Sequence, residues 1–161
     1  MTADLLKRSG TMKLAEALQE RADLNRDIEN LKVRLNSNSI VQENEKPAEE
    51  PKELLKELDS AIERLRELME RINRTNCLVE SNGQSITQLI SKKDALKLKI
   101  TAYKDLVFNA SQTGKRARMT EIKLVSTVDV KKIQKEIDRL SRELRETDNM
   151  IQSLNWTTEL M

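Results

Sequence analysis

Apolar residues recur every three or four positions through four stretches of this chain, and that spacing predicts four amphipathic helices separated by polar breaks. In the first, over about 12–36, Leu14, Ala17, Leu24, Ile28, Leu31 and Leu35 share a face, with Thr11 placed to cap the N-terminus. The second, over about 51–80, opens on Pro51, whose absent N–H would be unpaired at a first helical position anyway. Its stripe runs through Leu54, Leu58, Ala61, Leu65, Leu68, Ile72 and Val79, and Leu55, Ile62 and Met69 widen it on one side. A face that wide calls for two neighbours to cover it.

Asn82-Gly83 forms a short turn, and the third helix, over about 85–111, starts at a capping box in which Ser85 and Gln88 exchange hydrogen bonds with the backbone. It carries Ile86, Leu89, Leu96, Ile100, Tyr103, Val107 and Ala110. Asp129 caps the fourth helix, over about 130–155, with Val128 and Ile133 at staple positions and a stripe of Val130, Ile133, Ile137, Leu140, Leu144, Ile151 and Leu154. Trp156 is expected to cover the end of the bundle, its indole N–H bound to a carbonyl. Residues 1–11 share no stripe with the first helix and read as a frayed extension.

These elements predict an all-α fold: one antiparallel, coiled-coil-like four-helix bundle over 12–161. The two long breaks, 37–50 and 112–128, then lie at the same end, the first acidic and the second basic. Residues 39–42 are expected to pair with part of 122–128 as a short two-stranded β-ribbon supported by the bundle.

Composition narrows the function classes. Charged residues are 35% of the chain and aromatics 2%, so the core is aliphatic. With 29 Lys and Arg against 27 Asp and Glu there is no strong overall field to gather polyanions or membranes. A lone Cys77 excludes an internal disulfide and reads as a structural thiol, because the chain has no His to activate it. The same lack of His rules out the Glu-x-x-His ligands of di-iron bundles, and no metal or cofactor is expected. No apolar run approaches the roughly 20 residues of a transmembrane span and no signal peptide stands at residues 1–10, so a cytoplasmic location is expected.

Stacking the stripes antiparallel puts their polar interruptions at one level, one heptad from the turn-bearing end: Arg21, Thr75 with Asn76, Lys93, and Thr147 with Asp148. Cationic heads at core positions need partners, and Asp23, Asp94 and Asp148 are near enough to the stripes to supply them. The layer either fixes helix register, as buried polar residues do in coiled coils, or forms a pocket for a small anion. Lys115, Arg116, Arg118 and Lys123 in the second loop could contact phosphates, but no aromatic interleaves with them to stack on bases, which favours docking on the acidic loop over nucleic-acid binding.

The segments MKLAEAL from Met12, RADL from Arg21, INRTN from Ile72, EIKLVSTVDV from Glu121 and NWTTEL from Asn155 together give the chain a resemblance to the septicolysin-like family of small bacterial proteins. The resemblance covers Met12 to the C-terminus. Its name implies a cytolysin, whereas the charge-interrupted stripes lack the membrane-seeking face such a protein needs. The wide second helix, with Val33 and Leu98 outside the main stripes, points instead to a non-catalytic, self-associating interaction or scaffolding protein, at least dimeric.

Overall fold

Helix ends fall where local chemistry puts them. The computed structural model describes residues 11–112 and 124–161. Among these are α1 (Leu14–Ser37), α2 (Pro51–Leu78), α3 (Ile86–Ala110) and α4 (Val130–Thr157), with a two-stranded ribbon of β1 (Glu80–Ser81) and β2 (Gln84–Ser85). The fold is all-α, as expected. Pro51 stands at the start of α2. At α3 the Ser85 hydroxyl accepts from the Gln88 N–H at 3.2 Å while the Gln88 side chain accepts the Ser85 N–H at 2.8 Å. Asp129 accepts from the Lys132 N–H at 3.1 Å, capping α4.

Two expectations about chain ends are corrected. Thr11 does not cap α1, which begins after Lys13 with the Glu16 carboxylate accepting the Lys13 N–H at 2.8 Å. Its hydroxyl donates to Glu159 instead. The β-ribbon is also elsewhere: of the segments expected to pair, 39–42 and the described residues 124–128 hold no strand. The ribbon forms around Asn82-Gly83, both with positive φ (52° and 75°), which is the type I′ geometry that matches strand twist. Gly83 is required by that φ and not by space, since a Cβ there would meet nothing within 4 Å. A two-residue turn closes at far less entropic cost than a pairing of distant loops.

The chain divides into two compact units, one taking residues up to Glu80 together with Leu154–Met161, the other Ser81–Ser153. In the first, α1 packs against α2. Arg64 Nε donates to Glu20 at 2.7 Å and Arg34 reaches Glu57 at 3.7 Å, so the two helices run antiparallel. Their buried apolar residues are Leu14, Ala17 and Leu31 on α1 and Leu54, Leu68 and Ile72 on α2. Burying each Leu or Ile contributes roughly 1.5–3 kcal/mol. The acidic loop docks back on α1: Glu49 accepts from Arg34 Nε at 3.0 Å and its N–H donates to Asn38 Oδ1 at 3.0 Å. Its expected basic partners, Lys115, Arg116, Arg118 and Lys123, lie outside the described residues.

In the second unit Leu96 and Ile100 of α3 and Ile137 and Leu140 of α4 form a core, flanked by Tyr103, Val107, Ile133 and Leu144. Lys92 pairs with Glu143 at 2.8 Å and Lys93 with Asp148, while further along α3 the Lys99 charge acts on Glu136, earlier in α4, so α3 and α4 are antiparallel too. No helix among the described residues is long and apolar enough to cross a membrane.

Candidate functional site

The polar residues predicted to share one level are distributed over the two units: Arg21, Thr75 and Asn76 belong to the first, Lys93, Thr147 and Asp148 to the second. In the second unit one of the three candidate carboxylates, Asp148, pairs with Lys93. The Lys93 ammonium donates to Asp148 Oδ1, and Thr147 beside it is buried. This cation is therefore already satisfied by the chain's own carboxylate.

In the first unit Arg21 does not join Thr75. Its side chain is exposed although it falls on the α1 stripe. Leaving a guanidinium buried without a partner costs several kcal/mol, and its long stem lets the head reach water. Thr75 is fully buried and holds a different partner from the one anticipated. Its hydroxyl donates to the Arg71 carbonyl at 2.9 Å, one turn back, and accepts the Met161 N–H at 2.9 Å. Asn76 beside it is half-buried.

Thr75 is one anchor of a clamp on the segment after α4. Arg71 Nε donates to the Met161 carbonyl at 3.0 Å and Nη2 to the Leu160 carbonyl at 3.2 Å. The Leu14 N–H donates to Thr158 at 2.9 Å, the Leu160 N–H to Met12 at 2.8 Å, and Lys13 and Glu159 form an antiparallel bridge. The Leu160 side chain is buried. Trp156 is not the expected lid: it is 67% exposed. Because α4 stays helical through Thr157, Trp156 remains on an outer face, and the chain buries Leu160 in its place after leaving the helix. Sequence reading missed Arg71, whose only signal was its position four residues before Thr75.

Beside the clamp lies an open groove of about 1120 Å³ lined by Met12, Gln19, Glu20, Arg64, Arg71 and Trp156, among others. Its cations are engaged, Arg64 by the bidentate Glu20 carboxylate and Arg71 by the two carbonyls. The hydrogen bond that Arg64 donates to Glu20 and the proximity of the Glu20 charge raise the Arg64 pKa. Among the described residues no group of Cys, Asp and Glu could hold a metal ion, and every buried side-chain nitrogen or oxygen has a partner.

What remains unsatisfied is apolar. Leu55, Ile62 and Met69, spaced by seven along α2, are 50%, 48% and 45% exposed, while Leu54, Leu68 and Ile72 beside them are buried. Seven residues make two helical turns, so the three form one line on the helix surface.

Residues 21–160 match a family of unknown function, DUF6847. The chain belongs to DUF6847. No curated protein matches it. A crystal structure described as that of a functionally unknown conserved protein from Corynebacterium diphtheriae is similar, with 41% identity over 94% of this chain and 100% of that one, and a TM-score of 0.83.

Ion pairs in this DUF6847 chain make its stability respond to acid. Glu49, Glu63, Glu136 and Glu143 are held below the ordinary carboxylate range by hydrogen bonds from Arg34, Arg66, Arg139 and Lys92 respectively. A carboxyl whose folded pKa is depressed contributes stability above its unfolded pKa and loses it as pH falls through the folded value. The melting temperature is therefore expected to hold level down to about pH 5 and to drop as pH passes below about 4. A melting temperature that rises on acidification contradicts these pairings.

Proposed function

We propose that this protein is a non-catalytic interaction protein that assembles with a second copy of itself. The observation that carries this reading is the half-exposed line of Leu55, Ile62 and Met69 on α2. Scattered exposed apolar residues need no explanation, but a line repeated every two turns is the pattern by which one helix recognises another. Covering it removes apolar surface from water at roughly 25 cal/mol per Å². The anion-pocket reading draws no comparable support, since Lys93 is engaged by Asp148 and Arg21 points to solvent. A cytoplasmic setting goes with the proposal, because there Cys77 stays reduced.

The direct test mixes two purified forms of the full chain, one carrying an affinity tag and one without. Retention of the untagged form with the tagged one at tens of micromolar supports self-association. Its complete loss in the wash at every concentration up to the solubility limit overturns it.

A further inference from the structure

A second line of residues runs along α2 three positions before the apolar one: Lys52, Asp59 and Arg66 stand three residues ahead of Leu55, Ile62 and Met69. Residues three apart on a helix are neighbours, so each apolar side chain has a charged companion on its outer side. All three charged residues are exposed. The other flank of the apolar line is the buried face that packs on α1.

The order of charges along this row distinguishes the ways two copies could meet. If two α2 helices pack in parallel about a two-fold axis along their length, the two charged rows fall on opposite flanks of the contact and form no pair with each other. Packed antiparallel about Ile62, Leu55 of one copy lies opposite Met69 of the other, and Asp59 lies opposite Arg66. Lys52 comes within reach of Glu70 in the same arrangement, because Glu70 lies on the same outer side as Arg66. The apolar pair and both charge pairs are thus centred at about the same place on the helix. Within its own chain Arg66 is held by Glu63 at 2.7 Å and Glu70 at 3.4 Å. No ion pair involves Asp59 among the described residues, so its carboxylate is open to a partner.

We infer that two copies of this chain associate through α2 against α2, antiparallel about a two-fold axis at Ile62, with Leu55 packed on Met69 and Asp59 paired with Arg66 of the second copy. This rests on the self-association proposed above and names its surface and geometry. The contact is isologous, so every pair occurs twice. Three apolar residues and one charged row place it at the small end of specific interfaces, below about 1,200 Å² in total, and the dimer dissociates on dilution.

Charge reversal tests the geometry on the full chain, by sedimentation velocity over a dilution series. Asp59→Arg and Arg66→Asp each place like charges together at two symmetric sites and are expected to weaken self-association about tenfold apiece. The double variant Asp59→Arg/Arg66→Asp restores opposite charges and is expected to return to within about threefold of the natural chain. Since Arg66→Asp also disturbs the contacts with Glu63 and Glu70, a second measurement avoids that residue. Ile62→Cys in a Cys77→Ser background is expected to form a covalent dimer under mild oxidation, because Ile62 meets its own copy at the axis, whereas Ser60→Cys in that background is not. Natural chain that associates, together with single reversals that have no effect or a double variant no better than the singles, overturns this interface and leaves self-association standing. Absence of association in the natural chain itself overturns both.

Discussion

Leu68→Ala is expected to cost the folded chain about 2–5 kcal/mol, read from urea unfolding at protein concentrations low enough to keep it monomeric. Leu68 is fully buried on the face of α2 that meets α1, so truncation loses the transfer energy of the removed atoms and leaves a cavity that the antiparallel helix can only partly collapse into. Met69, one residue further, is on the half-exposed line, and Met69→Ala is expected to shift stability by no more than about 0.5 kcal/mol under the same conditions. The pair of measurements separates the two seams of α2. Equal losses at both positions would mean that Met69 is covered in the monomer and that the outer line is part of the core.

Much of this division was legible in the amino-acid order. The spacing of Leu54, Leu68 and Ile72 marked a buried stripe, and Leu55, Ile62 and Met69 stood out as a widening that one neighbour does not cover. Caps were legible as well, because Ser85 with Gln88, Asp129 and Pro51 act on backbone groups within one turn, where sequence distance and spatial distance coincide. The misses share the opposite property. The hydrogen bonds that Arg71 donates to Leu160 and Met161, and the one that Thr75 accepts from Met161, join residues far apart in the chain, and no periodicity announces them. Placing Trp156 at the end of α4 assumed that the helix stopped there; two more helical residues turned the ring outward and left the buried position to Leu160. Stripe arithmetic also treated Arg21 like a leucine, although a long cationic side chain at a core register can turn its head to water. For the polar layer, only the adjacent-helix pair Lys93 and Asp148 emerged as an ion pair, because it alone had complementary charges on helices whose apolar faces pack together.

Thr75→Val is expected to destabilise the first unit by about 1–3 kcal/mol. Valine matches threonine in shape, so packing changes little; what is lost is the acceptor for the Met161 N–H in a part-buried setting. The hydroxyl's own donation to the Arg71 carbonyl is an intrahelical bond whose loss is mild, since that carbonyl already lies in the helical ladder. The consequence is therefore expected to be local. Amide hydrogen exchange should speed up at Leu160 and Met161, and at Leu14, whose N–H is tied to Thr158, while the amides of α3 between Leu96 and Ile100 keep their protection. Unchanged exchange at Leu160 and Met161 would show that Thr75 does not hold the segment after α4, and would leave Arg71 as its main anchor.

Leu68 and Thr75 both belong to α2, which has three duties along its length. Its inner face packs on α1, its C-terminal turns hold the tail through Arg71 and Thr75, and its outer line of Leu55, Ile62 and Met69 is left for another molecule. Only the last duty reaches beyond the single chain. Sedimentation equilibrium of the unmodified protein, from about one to a few hundred micromolar, tests it most directly. The weight-average mass is expected to climb with concentration from the monomer value of 18.6 kDa toward twice that value. A mass that stays at 18.6 kDa across the whole range contradicts it.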